Sequence, residues 1–217
     1  MLRLNDVLIE GNEATERGGG IIAENSEVHL TSNTRVINNN AMNGGGVYIV
    51  GLGSPSVLSG GLISSNIAGS KGGNVHARGE SELNDNIISQ GLATFGGGVY
   101  VYSGSKVALN NVSITRNKAV SRANGVSPAG GGMFVDSAEV TLRRSTVASC
   151  HSDANGGGLH IQGSNNKIVG SLDASILNNY ASSEGGGISV ENGEGNLIST
   201  ISVRNNNASN GGGGIYA

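Results

Sequence analysis

Apolar and polar residues alternate along this chain in short runs, and glycine clusters reset each run. The pattern is clearest at Gly44-Gly45-Gly46-Val47-Tyr48-Ile49, where a glycine triplet opens into an apolar-aromatic-apolar segment. Alternation at period two predicts a strand with one buried face. The signature returns at Gly18-Gly19-Gly20-Ile21, Gly72-Gly73-Asn74-Val75, Gly96-Gly97-Gly98-Val99, Gly130-Gly131-Gly132-Met133, Gly156-Gly157-Gly158-Leu159, Gly185-Gly186-Gly187-Ile188 and Gly212-Gly213-Gly214-Ile215. The aliphatic residues that follow the glycines lie 26, 28, 24, 34, 26, 29 and 27 residues apart. That period is too short for a propeller blade and lacks the helical pattern of ankyrin or tetratricopeptide repeats, but it suits one coil of a parallel β-helix.

A second signature, aliphatic-x-x-Asn-x-Ala, precedes each triplet. It appears as Ile9/Asn12/Ala14, Val36/Asn39/Ala41, Ile63/Asn66/Ala68, Ile114/Asn117/Ala119, Ile176/Asn179/Ala181 and Val203/Asn206/Ala208. Two copies deviate, Ile88/Gly91/Ala93 and Val147/Cys150/Ser152. A third alternating segment lies between them, as at Val28/Leu30, Val107/Leu109 and Val140/Leu142. The pattern predicts a single all-β domain over 1–217, a parallel β-helix solenoid of seven to eight coils with three short strands per coil. Seven steps at about 4.8 Å make a rod about 34 Å long.

Stacked coils place like residues on like, so the asparagines are expected to form an internal ladder, each amide bonded to the next. The glycines suit corners with φ > 0 or close backbone packing. Cys150 is expected to fill the asparagine column as a small buried residue.

Taken together, the two signatures resemble the repeats of the chlamydial polymorphic outer membrane proteins, with Gly where that family has Ala in Gly-Gly-Ala-aliphatic and Ile or Val where it has Phe in Phe-x-x-Asn. The chain also resembles the wider pectin-lyase-like β-helix class. The resemblance implies a right-handed β-helix, the hand that crossover connections favour. It also implies an adhesin-type passenger, secreted or displayed on a bacterial cell surface and exported by sequence outside this stretch. Because Met1 leads almost at once into the repeat at Val7-Leu8-Ile9 and Ala217 falls inside a signature strand, the chain is expected to be a piece of a longer protein or an uncapped unit that stacks end to end.

Composition narrows the partners. Glycine, at 38 of 217 residues, is abundant without a three-residue period, which excludes collagen. The net charge of -3 and the lack of a Lys/Arg block speak against nucleic acid. No apolar run approaches the ~20 residues that span a bilayer, so this segment is expected to make no membrane contact. A single cysteine rules out an intrachain disulfide.

Candidate chemistry gathers in one column, the outward position of the signature strand: Ile22, Tyr48, His76, Tyr100, Phe134, His160, Ser189 and Tyr216. On the same face follow Glu24, Val50, Arg78, Tyr102, Asp136, Gln162 and Glu191. Tyr48, His76, Tyr100, Tyr102, Phe134 and His160 are the candidate binding residues, an exposed aromatic stripe for a glycan or for a host or neighbouring-cell surface protein. The ten-residue insertion 120–129, beside Tyr100 and Phe134, is a candidate recognition loop. An alternative reading is a polysaccharide hydrolase or lyase using Asp136, Glu191 and His160. The two acids lie two coils apart, about 9.6 Å, at the far edge of the ~6.5–9.5 Å of inverting glycosidases. A third is a filament subunit associating through its end coils. No metal or cofactor is expected, since His76 and His160 are three coils apart, roughly 14 Å.

Overall fold

The computed structural model describes residues 1–31, 33–122, 125–192 and 196–217. These residues form an all-β parallel solenoid of about eight turns without helix. Each coil pairs with the one before and the one after: Val75 lies between Val47 and Val99, and Met133 between Val99 and Leu159.

Three sheets run along the axis. The first holds the signature strands, such as Met133–Asp136 and Leu159–Gln162, together with third-segment strands such as Lys106–Asn110 and Glu139–Arg143. Val47–Ser59 and Val75–Asn84 run through both parts without a break. The second sheet carries the aliphatic strands, from Leu8–Glu10 to Ser202–Arg204, and the third the short alanine strands, from Asn40–Asn43 to Asn207–Ala208. The aliphatic-x-x-Asn-x-Ala signature therefore spans two sheets. The bend falls on the residue before each asparagine, where Asn38, Ser65, Gln90, Arg116, Asn178 and Asn205 take φ between 54° and 58°. Side chains enter that left-handed region at a cost, and short polar ones enter it most easily.

The glycine triplet does two separate things. Its first residue turns the chain with positive φ, 62° at Gly44 and 65° at Gly96. Its second and third lie where backbones nearly touch: a Cβ on Gly45 would collide with the carbonyls of Ile67 and Gly73, and one on Gly46 would stand 2.6 Å from Asn66 Nδ2.

The core is a set of apolar columns. Val47, Val75, Val99, Met133, Leu159 and Ile188 stack in one, Ile49, Ala77, Val101, Val135 and Ile161 in the next, and Val36, Ile63, Ile88, Ile114, Val147 and Ile176 close the opposite side, all buried. Val28 and Leu30 are buried as expected, but Val28 stacks on Leu58, in the column of Leu83 and Leu109 and not of Val107. An offset of two residues keeps the same face inward, so sequence alternation alone does not resolve it.

The asparagine column forms a ladder with one substitution. Asn12 Nδ2 donates to Asn39 Oδ1 (2.9 Å), and Asn39 Nδ2 to Asn66 Oδ1 (3.0 Å). The next rung is missing, because Gly91 has no side chain. Asn74, which replaces the third glycine of its triplet, swings into the gap. It accepts from Asn66 Nδ2 (2.9 Å) and donates to Asn117 Oδ1 (2.9 Å). Cys150 breaks the ladder, with Asn117 Nδ2 3.9 Å from its sulfur, and the ladder resumes from Asn179 to Asn206 (3.0 Å). Burial pushes the Cys150 thiol up to about 11, so it is inert.

Candidate functional site

The aromatic column points away from the main core, as its parity requires, yet it is not an exposed stripe. Tyr48, His76, Tyr100, Phe134 and His160 are each 5% exposed or less. Of the six candidate binding residues only Tyr102 keeps partial exposure. The cause lies one residue before each triplet. Arg17, Asn43, Lys71, Phe95, Ala129 and Asn155 pair coil to coil, Asn43 with Lys71 at the end of a strand ladder and the others as isolated bridges, and form a column of their own. The side chains of Arg17, Lys71 and Phe95 lie over the rings of the next coil, Tyr48, Tyr100 and Phe134, while the triplet backbone passes so close that a Cβ on Gly156 would stand 2.7 Å from His160 Cβ.

Inside this second, smaller core the rings stack continuously. Ring centroids are 4.6 Å apart for Tyr48–His76, 5.0 Å for His76–Tyr100, 5.3 Å for Tyr100–Phe134 and 4.9 Å for Phe134–His160. Phe95 meets Phe134 edge-on at 5.2 Å, and Ala129 completes the cluster. The insertion 120–129 thus contributes its final residue to the aromatic packing; Ala123 and Asn124 lie outside the described residues.

Polar groups on this column are tied off unevenly. The Tyr100 hydroxyl donates to Asp136 Oδ2 at 3.0 Å, and burial with that carboxylate raises its pKa above the usual phenol value. His160 Nε2 stands 3.5 Å from Glu191 Oε2, while its Nδ1 has no hydrogen-bond partner among the described residues. Burial lowers His160 to about 4, and the half-exposed Glu191 carboxylate does not offset this. Among the described residues neither ring nitrogen of His76 has a hydrogen-bond partner. Burial, then the charges of Lys71, Arg78 and Arg17, lower it to about 3, so the imidazole is neutral.

Of those three cations, sequence patterning placed Arg78 on the same face as the aromatic column and missed Arg17 and Lys71. Arg17 lies 5.5 Å over the Tyr48 ring, Lys71 4.8 Å over Tyr100 and 5.8 Å from Tyr102, and Arg78 5.0 Å over Tyr102. None of them has a carboxylate within ion-pair distance among the described residues. The available signal was their position, directly before a triplet for Arg17 and Lys71. By contrast, the neighbouring open groove of about 350 Å³ is lined by Glu80, Lys106 and Glu139. There opposite charges alternate in register, and Lys167 Nζ sits 2.7 Å from Glu139 Oε1, so the groove largely neutralises itself.

The pair proposed for hydrolysis keeps its spacing: Asp136, Gln162 and Glu191 are in register on successive coils. Each acid is engaged with the aromatic column, Asp136 with Tyr100 and Glu191 with His160, and among the described residues the two share no hydrogen-bonded partner. Among the described residues no group of three or more His, Cys, Asp or Glu could hold a metal ion.

Site and fold together define a three-sheet parallel β-solenoid repeat protein with an aromatic-lined, cation-topped ridge. Compared with protein-family models, curated proteins and solved structures, the chain matches none of them.

Proposed function

We propose that this chain is an adhesive repeat module, a rigid surface-displayed rod of the kind found in the chlamydial polymorphic outer membrane proteins and the pectin-lyase-like class. Its ridge of Arg17, Lys71, Arg78 and Tyr102 binds a glycan or a cell-surface protein. The observation that supports this reading most is the set of three unpaired cations held on aromatic rings. Lys167 pairs with Glu139 and Lys118 with Asp153, whereas most other Lys and Arg side chains have no ion pair among the described residues; what sets these three apart is the ring beneath each of them. Unpaired charge on a rigid scaffold binds partners without much ordering cost. The buried stack from Tyr48 to His160 then serves as the foundation that fixes the cations.

Immobilised protein applied to a glycan array and to a panel of cell-surface proteins tests the reading. Retention of at least one class, reduced about tenfold by the Arg78→Ala/Tyr102→Ala double variant, is the expected result. Absence of retention across both sets sinks it.

A further inference from the structure

We infer that the two end coils of this solenoid bind each other between copies: the last coil of one chain pairs, head to tail and in register, with the first coil of a second copy of the same chain. Any uncovered sheet edge offers unpaired N–H and C=O groups. What makes these two edges selective is the asparagine ladder. Where asparagines stack on adjacent coils, the Oδ1 of the second accepts from both the backbone N and the Nδ2 of the first, as Asn39 does from Asn12 and Asn206 from Asn179. The Nδ2 of the second also donates to the aliphatic carbonyl of the preceding coil, Asn39 to Ile9 and Asn206 to Ile176. The outermost members keep the complementary halves of that set. Among the described residues Asn206 N and one Nδ2 hydrogen of Asn206 have no acceptor, and Asn12 Oδ1 has no donor. The second copy's Asn12 supplies the acceptor that Asn206 lacks, and its Nδ2 reaches the Val203 carbonyl as Asn206 Nδ2 reaches that of Ile176.

Strands and side chains match in the same register. The last coil carries Ser202–Arg204, Asn207–Ala208 and Ile215–Tyr216, and among the described residues no third-segment strand follows them. The second copy's Leu2–Leu4, which pairs with Glu27–Leu30 in its own chain, falls beside Leu197–Ser199 and fills that place. Apolar columns then close across the joint. Interior members such as Ile63, Ile88 and Ile114 are fully buried, whereas Ile9 and Val203, first and last in the same column, are only partly so. Ile215, 51% exposed, meets the second copy's Ile21. Charge sets the polarity. Glu10 is the first and Arg204 the last residue of one outward column, both exposed, and head-to-tail stacking brings them together. Asn38 Nδ2 holds Glu10 Oε1 at 2.9 Å and leaves Oε2 open among the described residues. Two first coils placed together would instead bring like charges, Asp6, Glu10, Glu13 and Glu16, against each other.

Sedimentation velocity and small-angle scattering of the intact chain over a range of concentrations test this. The expected result is a reversible series of species in which each added copy lengthens the rod by eight coil steps, about 38 Å, at constant cross-section. Glu10→Arg and Arg204→Glu each place like charges across the joint, and either alone should weaken self-association about fivefold to tenfold. Both positions are exposed, so the melting temperature should move little. In a one-to-one mixture the altered end of each variant meets the altered end of the other, and the unaltered ends meet likewise. Opposite charges then face each other at every joint, and association should return to the wild-type level. A variant that had merely loosened its end coil would gain nothing from the mixture. Three outcomes overturn the inference: a monomer at every concentration, growth in cross-section instead of length, or a mixture no more associated than its parts.

Discussion

At the scale of single residues, the exchange between Asn74 and Gly91 shows how the fold repairs itself. A buried amide without partners is costly, and a ladder passes that cost along to both neighbours of a missing rung. Gly91 leaves such a gap; Asn74 fills it from the signature strand instead, using a triplet position where other coils have glycine. Asn74→Gly removes one of two partners from Asn66 Nδ2, which keeps the Val36 carbonyl, and from Asn117 Oδ1, which keeps Gly91 N, and takes the acceptor from Asn66 N. It should cost about 1–3 kcal/mol by denaturant titration, although the change restores the consensus triplet. Gly91→Ala should cost more, because its Cβ meets the Gly97 carbonyl and Asn74 Nδ2. The double variant should be less damaged than the sum, since removing Asn74 relieves one of those two contacts. Strict additivity would mean that the two positions do not communicate through the ladder.

At the scale of elements, the signature strand has two buried faces where alternation predicted one. Val47, Val75 and Val99 face the main core, while Tyr48, His76 and Tyr100 face the smaller aromatic one. The second burial has a pH signature. The unfolded His76 imidazole protonates near 6.5 and the folded one at about 3, so between those values the unfolded chain binds more protons. Stability from this group is therefore complete above about pH 6.5 and is lost as pH falls toward 3. The same sign holds for His160, over the window from 6.5 down to about 4. The combined loss should be on the order of a few kcal/mol. His76→Phe keeps the stacked ring and removes the titration, so its acid limb should be flatter than that of the wild type; an unchanged limb would assign the acid sensitivity to other groups. The core columns and most of the asparagine ladder were legible in the sequence because the same residue type recurs at the same offset. The covering of Tyr48 to His160 was not, because the column that covers it reads Arg17, Asn43, Lys71, Phe95, Ala129 and Asn155, a fixed position with no fixed chemistry. Asn74 was equally hidden, since the gap it fills lies 17 residues away, at the corner between the strands Ile87–Ser89 and Leu92–Ala93.

At the scale of the whole molecule, a solenoid is nearly one-dimensional, and its stability is a sum of coil and interface contributions. Cooperative unfolding then depends on the weakest interface. In the ladder that interface falls at Cys150. Asn117 Nδ2 approaches the sulfur only to 3.9 Å, whereas amide rungs on either side close at 2.9 to 3.0 Å. The coil just before it carries the insertion 120–129, so a longer loop adjoins the weaker rung. Elsewhere the seam is intact: Cys150 N donates to Asn179 Oδ1 at 2.9 Å, and Val147 remains buried. The backbone is therefore already placed for an amide side chain. Cys150→Asn should let Asn117 Nδ2 donate to a true oxygen, and should replace the thiol, 3.7 Å from the Ile114 carbonyl, with an amide donor there. Each rung made good is worth about 0.5–1.5 kcal/mol. The variant should therefore unfold at higher denaturant, and hydrogen exchange should show the amides of 114–119 and 147–152 slowing toward the rates of the Asn39–Asn66 rungs. If the substitution lowers stability instead, the sulfur packs better than an amide can bond there, and the seam is not the point at which the rod first opens.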